Sequence, residues 1–169
     1  MADDPSLSAG WEAAAHDWAK WARAPGNDSY WRFHREPFLS LLPRPGRLTI
    51  DIGCGDGRVA RDLKALGHNV VAVDVSPTMV EYAKAADPSM KVLVADAARL
   101  PFDDSAADLA VAFMSLHDVE DMPGAIREAG RVDTSYLESH RYHDSIERAG
   151  LRMTINSRHW PLEAYFRAL

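Results

Sequence analysis

The sequence has only one cysteine, Cys54, so it cannot form an intrachain disulfide, and no cysteine and histidine spacing suggests a metal site. Basic residues are also scarce. The 19 lysines and arginines face 25 acidic residues, and the net charge of −6 disfavours a nucleic-acid partner. The longest apolar run, around residues 109–116, is far short of the roughly 18 residues that suggest a membrane span. The N-terminus also lacks the pattern of a secretory signal. We therefore expect a cytoplasmic protein that partners neither nucleic acid nor a membrane.

A chain of 169 residues is long enough to bury one substantial core, and its hydrophobic fraction of 47% is ordinary for a globular protein. We expect one domain over residues 1–169. It would consist of an N-terminal helical cap over residues 1–36, a central core over residues 47–132 and a partial C-terminal part over residues 133–169.

The N-terminal part predicts an amphipathic helix that ends at a turn signal over residues 25–28. Its apolar stripe consists of Trp11, Ala14, Ala15, Trp18, Trp21 and Ala22. Two interpretations remain open. The tryptophans either pack on the core, as aromatic stripes ordinarily do, or cover a bound ligand.

Four apolar runs follow, and helical patterns separate most of them. The runs predict strands over residues 48–52, 70–74, 92–96 and 108–113. The predicted helices cover residues 59–66, 77–86 and about 121–131, and the second begins with a Ser76 cap and Pro77. Because the strands are apolar throughout rather than alternating, both of their faces should be buried. This pattern predicts a doubly wound, Rossmann-like α/β fold with a mainly parallel sheet and helices on both faces.

A glycine-rich loop follows the first strand and carries the main functional signal. Asp51 ends the strand, and Gly53, Gly55 and Gly57 let the backbone turn sharply and approach a ligand closely. The next helix points its N-terminus at this loop. The fingerprint of nicotinamide-dependent oxidoreductases would place its third glycine where Arg58 stands, so the spacing disfavours that alternative.

This loop resembles the first motif of class I S-adenosylmethionine-dependent methyltransferases, in the small-molecule, methyltransferase type 11-like group. The resemblance covers about residues 30–132. It implies S-adenosyl-L-methionine as cofactor and S-adenosyl-L-homocysteine as product, with Asp74 on the ribose hydroxyls and Asp96 on the adenine amine. The cofactor-binding residues it implies are Asp51, Gly53, Cys54, Gly55, Gly57, Asp74, Val75, Met79, Asp96, Ala97, Phe113 and Met114. A cofactor-binding module without turnover stays open as a further alternative.

The cofactor carries an activated methyl group, so no nucleophilic residue is expected, and Cys54 is interpreted as a small apolar filler. A base would help with an acceptor of low basicity, such as a phenol. The candidates by position are His16, His34, His117 and Asp118. Among these, His117 is the weak catalytic candidate, although a structural role is preferred.

Four aromatic residues are candidates for a lid or substrate contact, because their ring faces would favour the cationic sulfonium. They are Trp18, Trp21, Tyr30 and Trp31. The acceptor is expected to be a small molecule, whose identity the sequence does not reveal.

The sequence departs from the resembled family after Val132, where a fifth strand is expected and Asp133 follows directly. We expect residues to be missing at this junction and after Leu169; the alternative is a truncated or degenerate protein. Residues 151–155 alternate in polarity and predict a strand that could pair at a sheet edge, and residues 161–169 predict a last helix.

A basic cluster precedes that strand and consists of His140, Arg141, His143 and Arg148. It could recognise an acidic substrate, but a solvated helix face is the preferred interpretation.

Overall fold

The computed structural model describes residues 6–129, 140–148 and 150–159. Helix α1 spans Leu7–Arg23, and a π-helical turn at Tyr30–His34 leads into α2 at Arg35–Ser40. The central elements are β1 Thr49–Ile52, α3 Arg58–Ala65, β2 Val70–Asp74, α4 Pro77–Ala86, β3 Lys91–Val94, β4 Leu109–Val111 and α5 Met122–Ala129. A 3-10 turn at Leu116–Asp118 precedes α5, and a final hairpin comprises β5 His140–Arg148 and β6 Leu151–His159.

The four central strands form one parallel sheet in the order β3-β2-β1-β4. The predicted Rossmann-like fold is thus confirmed. From β1 the chain adds β2 and β3 on one side and then places β4 on the other. The strand order therefore reverses between β1 and β4. Open α/β sheets bind ligands at the carboxyl ends of the strands beside such a switch point.

Helices cover both faces of the sheet, as predicted. One apolar cluster joins β2 residues Val70 and Ala72 to α3 and α4, with Leu63 and Ala83 buried between them. The other cluster contains Val73, which points to the opposite face of β2, together with residues of β1 and α5. β1 is buried along its whole length, which explains its continuous apolar sequence.

Local sequence signals position the helices around the sheet. The Ser76 hydroxyl accepts the Met79 backbone N–H, so α4 has the cap expected from its sequence. The Ser6 hydroxyl caps α1 in the same way by accepting from Ala9. Helix α1 packs against α4 and β6, and its buried side consists largely of alanines.

Polar contacts made by two residues, Glu12 and Leu7, attach the N-terminal part of α1 to the carboxyl end of the sheet. The Glu12 carboxylate accepts from the Ser76 hydroxyl and, at 2.7 Å, from the Thr78 hydroxyl at the start of α4. At the N-terminus of α1, the Leu7 backbone N–H donates to the Glu120 carboxylate at 2.9 Å. The helix therefore lies across the edge where the strands end.

The fourth strand is shorter than predicted, because β4 ends at Val111 and Phe113 and Met114 lie beyond it. Met114 adopts a left-handed conformation with φ of 53°, which no strand residue does. The following Ser115 turns back toward β1 and donates its hydroxyl to the Ile52 carbonyl at 2.6 Å.

The C-terminal strand prediction is confirmed, but its pairing differs. β6 pairs in antiparallel register with β5, from Arg148 opposite Leu151 to His140 opposite His159, and not with the parallel sheet among the described residues. The interpretation of the basic cluster as a helix face is wrong, since all four residues belong to β5. Charge content alone does not distinguish a helix from a strand. The turn at Gly150, with φ of 76°, makes the hairpin.

The junction after Val132 and the predicted helix over residues 161–169 lie outside the described residues. None of the described helices is long and apolar enough to cross a membrane.

Candidate functional site

A cavity of about 350 Å³ opens at the carboxyl ends of the parallel strands, below α1. Every central strand contributes to its wall through the residues that end or follow it. Gly53 and Gly55 follow β1, Val75 follows β2, Ala95 and Ala97 follow β3, and Phe113, Met114 and Ser115 follow β4. The cavity therefore lies at the switch point of the sheet.

The glycine loop needs its first glycine for two reasons. Gly53 has φ of 69°, and a Cβ there would overlap the Ser115 side chain. Only glycine tolerates both the left-handed conformation and this close approach. The loop then folds back on the sheet, where the Gly55 N–H donates to Asp74 at 2.8 Å.

The third glycine of the motif serves packing between helices. Gly57 caps α3 with φ of 76°, but it does not line the cavity. A Cβ at this position would lie 2.6 Å from the Met90 side chain and 3.1 Å from Ala83 of α4. The geometry explains Gly57 without a ligand.

The Asp51 carboxylate is buried at the bottom of the cavity, with 1% of the residue exposed. Its Oδ2 atom is buried without a hydrogen-bond partner. Burial, and secondarily the nearby Asp74 carboxylate, raise the pKa of Asp51 from 3.8 to about 7. An unpartnered buried acceptor indicates that a hydrogen-bond donor belongs here.

Asp74, at the end of β2, is held by the backbone on both of its oxygens. Oδ1 accepts the Ser76 N–H at 2.9 Å and Oδ2 accepts the Gly55 N–H at 2.8 Å. Burial raises the pKa of Asp74, although these two N–H donors oppose the effect by stabilising the carboxylate. The side chain is therefore fixed in orientation while it faces the cavity.

Tryptophans of α1 form the roof of the cavity. Trp11, Trp18 and Trp21 all line it, and the rings of Trp11 and Trp18 meet edge to face at 6.5 Å. The Arg58 guanidinium lies over the Trp18 ring at 4.7 Å and within 3.3 Å of the Asp28 carboxylate. α1 is thus positioned both as a core element and as a cover over the cavity.

The other two lid candidates lie elsewhere. Tyr30 is fully buried, donates its hydroxyl to Asp62 at 2.7 Å and packs edge to face on Phe113. Trp31 is 54% exposed and lines a different cavity. Neither ring lines the first cavity, because the π-helical turn directs Tyr30 into the core.

Two of the four candidate bases line the cavity, His117 and Asp118. His117 Nε2 lies 3.4 Å from the Asp118 carboxylate, and burial lowers the pKa of the imidazole. His16 instead contacts the Tyr82 hydroxyl at 2.7 Å. His34 packs near Phe113, and neither His16 nor His34 lines the cavity.

Ten of the twelve expected cofactor-binding residues line this cavity; Gly57 and Asp96 do not. Asp96 is exposed, and its Oδ1 accepts the Ala98 N–H at 2.9 Å, so its contact with adenine stays a prediction. Cys54 lines the cavity as a buried thiol. Burial raises its pKa well above the ordinary value, which agrees with a filler and not a nucleophile.

Several lining residues were not among the predicted site residues. Among them are Ser8, Trp11, Asp28, Arg58, Ser115, Glu120 and Met153. Trp11 shares the helical spacing of Trp18, and Arg58 directly follows the glycine loop, so both carried a usable signal. Met153 reaches the cavity from the distant hairpin, which no local pattern reveals.

A family model described as a methyltransferase domain matches residues 50–134, half of the chain. A probable S-adenosylmethionine-dependent methyltransferase of Mycobacterium tuberculosis is 32% identical over 107 residues, which cover 62% of this chain and 39% of that protein. The chain spans about two fifths of the length of the curated relatives it matches.

Solved structures agree with this match. A TehB-like SAM-dependent methyltransferase of Corynebacterium glutamicum is 28% identical with a TM-score of 0.53, covering 71% of this chain and 65% of that one. A SAM-dependent methyltransferase of Thermotoga maritima is 26% identical with a TM-score of 0.55, covering 73% and 55%. These similarities do not favour the nicotinamide alternative. With its parallel sheet, its glycine loop and this match, the chain belongs to the methyltransferase domain family, and its cofactor is S-adenosylmethionine.

Proposed function

We propose that this protein transfers the methyl group of S-adenosylmethionine to an uncharged small molecule. One observation carries the proposal. A single cavity at the switch point joins the glycine loop and two buried carboxylates, Asp51 and Asp74, to a roof of tryptophans. The cofactor supplies an activated methyl group when bound, so the chain has to orient the acceptor and exclude water. A cavity lined by aromatic rings and covered by a helix suits both tasks.

The residues of the cavity fit this cofactor. The unpartnered Oδ2 of Asp51 would accept a hydrogen bond from the ammonium group of its methionine part. Each oxygen of Asp74 already accepts one N–H and keeps a second lone pair, so the carboxylate would hold the two ribose hydroxyls. Val75 and Met79 offer an apolar wall for the adenine.

The charges lining the cavity support a cationic ligand and oppose an anionic acceptor. Five carboxylates line it, from Asp28, Asp51, Asp74, Asp118 and Glu120. Among the described lining residues, Arg58 is the only lysine or arginine. A sulfonium would be attracted to this surface, whereas an acceptor with a free carboxylate would be repelled.

The remaining lining supports an apolar acceptor. Aromatic and methionine side chains surround the space beside the glycine loop, contributed by Trp11, Trp18, Trp21, Phe113, Met114 and Met153. Such walls bind flat apolar molecules through buried area, and a few polar groups then fix their orientation. A phenol or an uncharged amine combines an apolar body with a group that can be methylated.

His117 is the residue we propose as the general base. It lines the cavity, and its lowered pKa keeps the imidazole neutral at neutral pH, so it can accept a proton. The adjacent Asp118 carboxylate would stabilise the imidazolium that forms. In this role His117 takes the proton of the acceptor hydroxyl as methylation proceeds.

Binding is tested first, by titration calorimetry with S-adenosylhomocysteine and with NAD. We expect S-adenosylhomocysteine to bind and NAD not to bind, and the reverse result would overturn the proposal. Trp18→Ala should weaken the binding because it removes a roof ring. Trp31→Ala is the matched control, since that ring lies outside the cavity, and it should leave the affinity unchanged.

Turnover is tested next, by mass spectrometry of phenols, uncharged amines and carboxylic acids incubated with S-adenosylmethionine. We expect methylated phenols or amines in preference to acids. Binding of the cofactor without methylation of any compound would favour the non-catalytic module instead. Preference for carboxylic acids would contradict the proposed acceptor class.

The role of His117 has its own readout. His117→Gln should keep the affinity for S-adenosylhomocysteine while lowering the turnover of a phenol by roughly 10²-fold to 10⁴-fold. The loss should shrink for acidic phenols, because these are already ionised and need no base. An equal loss for phenols of every acidity would assign His117 a structural role.

A further inference from the structure

A second cavity, of about 550 Å³, lies beside the first one, past the C-terminal end of α1. Residues from the segments 22–32 and 56–61 and from α4 form its walls. It shares Ala22, Asp28 and Arg58 with the cofactor cavity and is otherwise separate. Nothing in the proposed methyl transfer uses it.

The second cavity has the opposite charge to the first. Four arginines line it, namely Arg23, Arg32, Arg58 and Arg61, whereas Asp28 and Asp56 are its only carboxylates among the described residues. The formal charge of this lining is therefore positive, in a chain whose net charge is −6. Such a concentration of guanidinium groups favours an anion with several oxygens.

Carboxylates of the described residues form ion pairs with only two of these arginines, although the charge of Arg61 also lowers the pKa of the neighbouring Asp62. Arg23 pairs with Asp56 at 3.1 Å, and Arg58 lies 3.3 Å from Asp28. Arg61 and Arg32 donate instead to backbone carbonyls, at 2.6 Å and 2.9 Å. In the described part of the chain, no carboxylate oxygen lies within 4 Å of a guanidinium nitrogen of either residue.

The carbonyl contacts hold these two guanidinium groups without cancelling their charge. Each guanidinium has five N–H donors, and one of them donates to a backbone carbonyl. Donors therefore remain for a ligand, on side chains that are already partly oriented. This arrangement lowers the conformational entropy lost when an anion binds.

Asp56 adds an acceptor to the same cavity. Its Oδ2 accepts from Arg23, but its Oδ1 is buried and has no hydrogen-bond partner. A ligand that carries a hydroxyl beside its anionic group would satisfy this atom as well as the arginines. Hydrogen phosphate and phosphate monoesters of hydroxylated molecules have this combination, whereas sulfate at neutral pH has no O–H to donate.

We propose that the second cavity binds the phosphate group of free phosphate or of a small phosphate monoester, with Arg32 and Arg61 as its main ligands. Asp56 Oδ1 accepts a hydroxyl of the same ligand. The site is independent of the proposed methyl transfer and would persist if that function were wrong.

The test is titration calorimetry of the full chain with inorganic phosphate, AMP and sulfate at matched ionic strength. The protein is first saturated with S-adenosylhomocysteine, so that the cofactor cavity is occupied. We expect saturable binding of phosphate or AMP at about millimolar affinity or tighter, with sulfate weaker. Tighter binding of AMP than of phosphate would identify a monoester as the ligand, and equal affinities would identify the phosphate group alone.

Variants locate the site. The double variant Arg32→Gln and Arg61→Gln should weaken phosphate binding by roughly tenfold or more. Arg44→Gln removes the same charge at an exposed position outside both cavities and is the matched control. Arg61 also holds the 56–61 segment, so the single variant Arg32→Gln provides a second measurement of phosphate affinity. Thermal unfolding should show that this single variant is folded. The absence of saturable binding, or equal affinity in the double variant and the unmodified protein, would overturn the proposal.

Discussion

Replacing Asp51 by asparagine should stabilise the ligand-free protein at alkaline pH and weaken its binding of the cofactor. The carboxylate is buried, its Oδ2 has no partner, and its pKa is raised from 3.8 to about 7. The neighbouring Asp74 raises this pKa further, while Arg58 and a hydrogen bond from the Ala60 backbone oppose the increase. The folded protein therefore accommodates the protonated form better than the charged one.

The magnitude follows from the rise in the pKa of Asp51 from 3.8 to about 7, which corresponds to as much as about 4 kcal/mol of unfolding free energy. Between pH 4 and pH 7 the folded state holds a proton that the unfolded state has released. The stability contributed by Asp51 therefore falls as the pH rises through this window and is lowest above pH 7. Asparagine does not titrate. The unfolding free energy of Asp51→Asn relative to that of the unmodified protein should therefore increase by about 2.5 kcal/mol from pH 5 to pH 8.

The assay is urea unfolding of both proteins at pH 5 and pH 8, with Asp104→Asn as a control that neutralises an exposed carboxylate. The reasoning would be refuted if the difference in unfolding free energy between Asp51→Asn and the unmodified protein stayed constant from pH 5 to pH 8. The binding side is measured with S-adenosylhomocysteine. Its ammonium should bind the ionised carboxylate, so binding near pH 6 should release a proton in the unmodified protein but not in Asp51→Asn.

Three further predictions concern the scaffold around the site. Tyr30→Phe should lower the unfolding free energy by about 1–3 kcal/mol in urea titrations, because it removes a buried hydroxyl that donates to Asp62; an unchanged midpoint would contradict this. Gly57→Ala should destabilise more than Gly26→Ala, since both glycines have φ near 77° but only Gly57 lacks room for a Cβ, and equal melting temperatures would disprove the packing role. Glu12→Gln should speed amide exchange in α1, because the carboxylate holds that helix to α4; unchanged exchange would show that apolar packing alone retains it.

Much of the central fold was predictable because its signals are local. The apolar run of β1, the Ser76 cap of α4 and the glycines after Asp51 each act within a few residues of chain. Parallel strands place their carboxyl ends at one edge of the sheet, and this is why Asp51 and Asp74 line the same cavity. Their roles toward a cofactor stay predictions.

Other features depended on contacts between distant segments. The tryptophans of α1 follow a helical spacing that is visible in the sequence. Tyr30 and Trp31 lie outside α1, and the sequence did not show that Trp31 lines a second cavity or that Tyr30 is buried in the core. The prediction of a helix face for the basic residues of β5 is wrong, because the charges of a segment do not indicate that it pairs with another strand, here β6.

Local chemistry alone established a strand, a glycine loop and two carboxylates at strand ends, since backbone sterics and apolar periodicity act over short stretches. Tertiary packing decided the rest. It assigned Gly57 to the contact with Met90, placed Met153 in the cavity wall and left the Oδ2 of Asp51 without a partner. These outcomes depend on which segments pack against one another in the folded chain. The sequence places the Asp51 carboxylate at the end of a strand, and burial from several sides then raises its pKa.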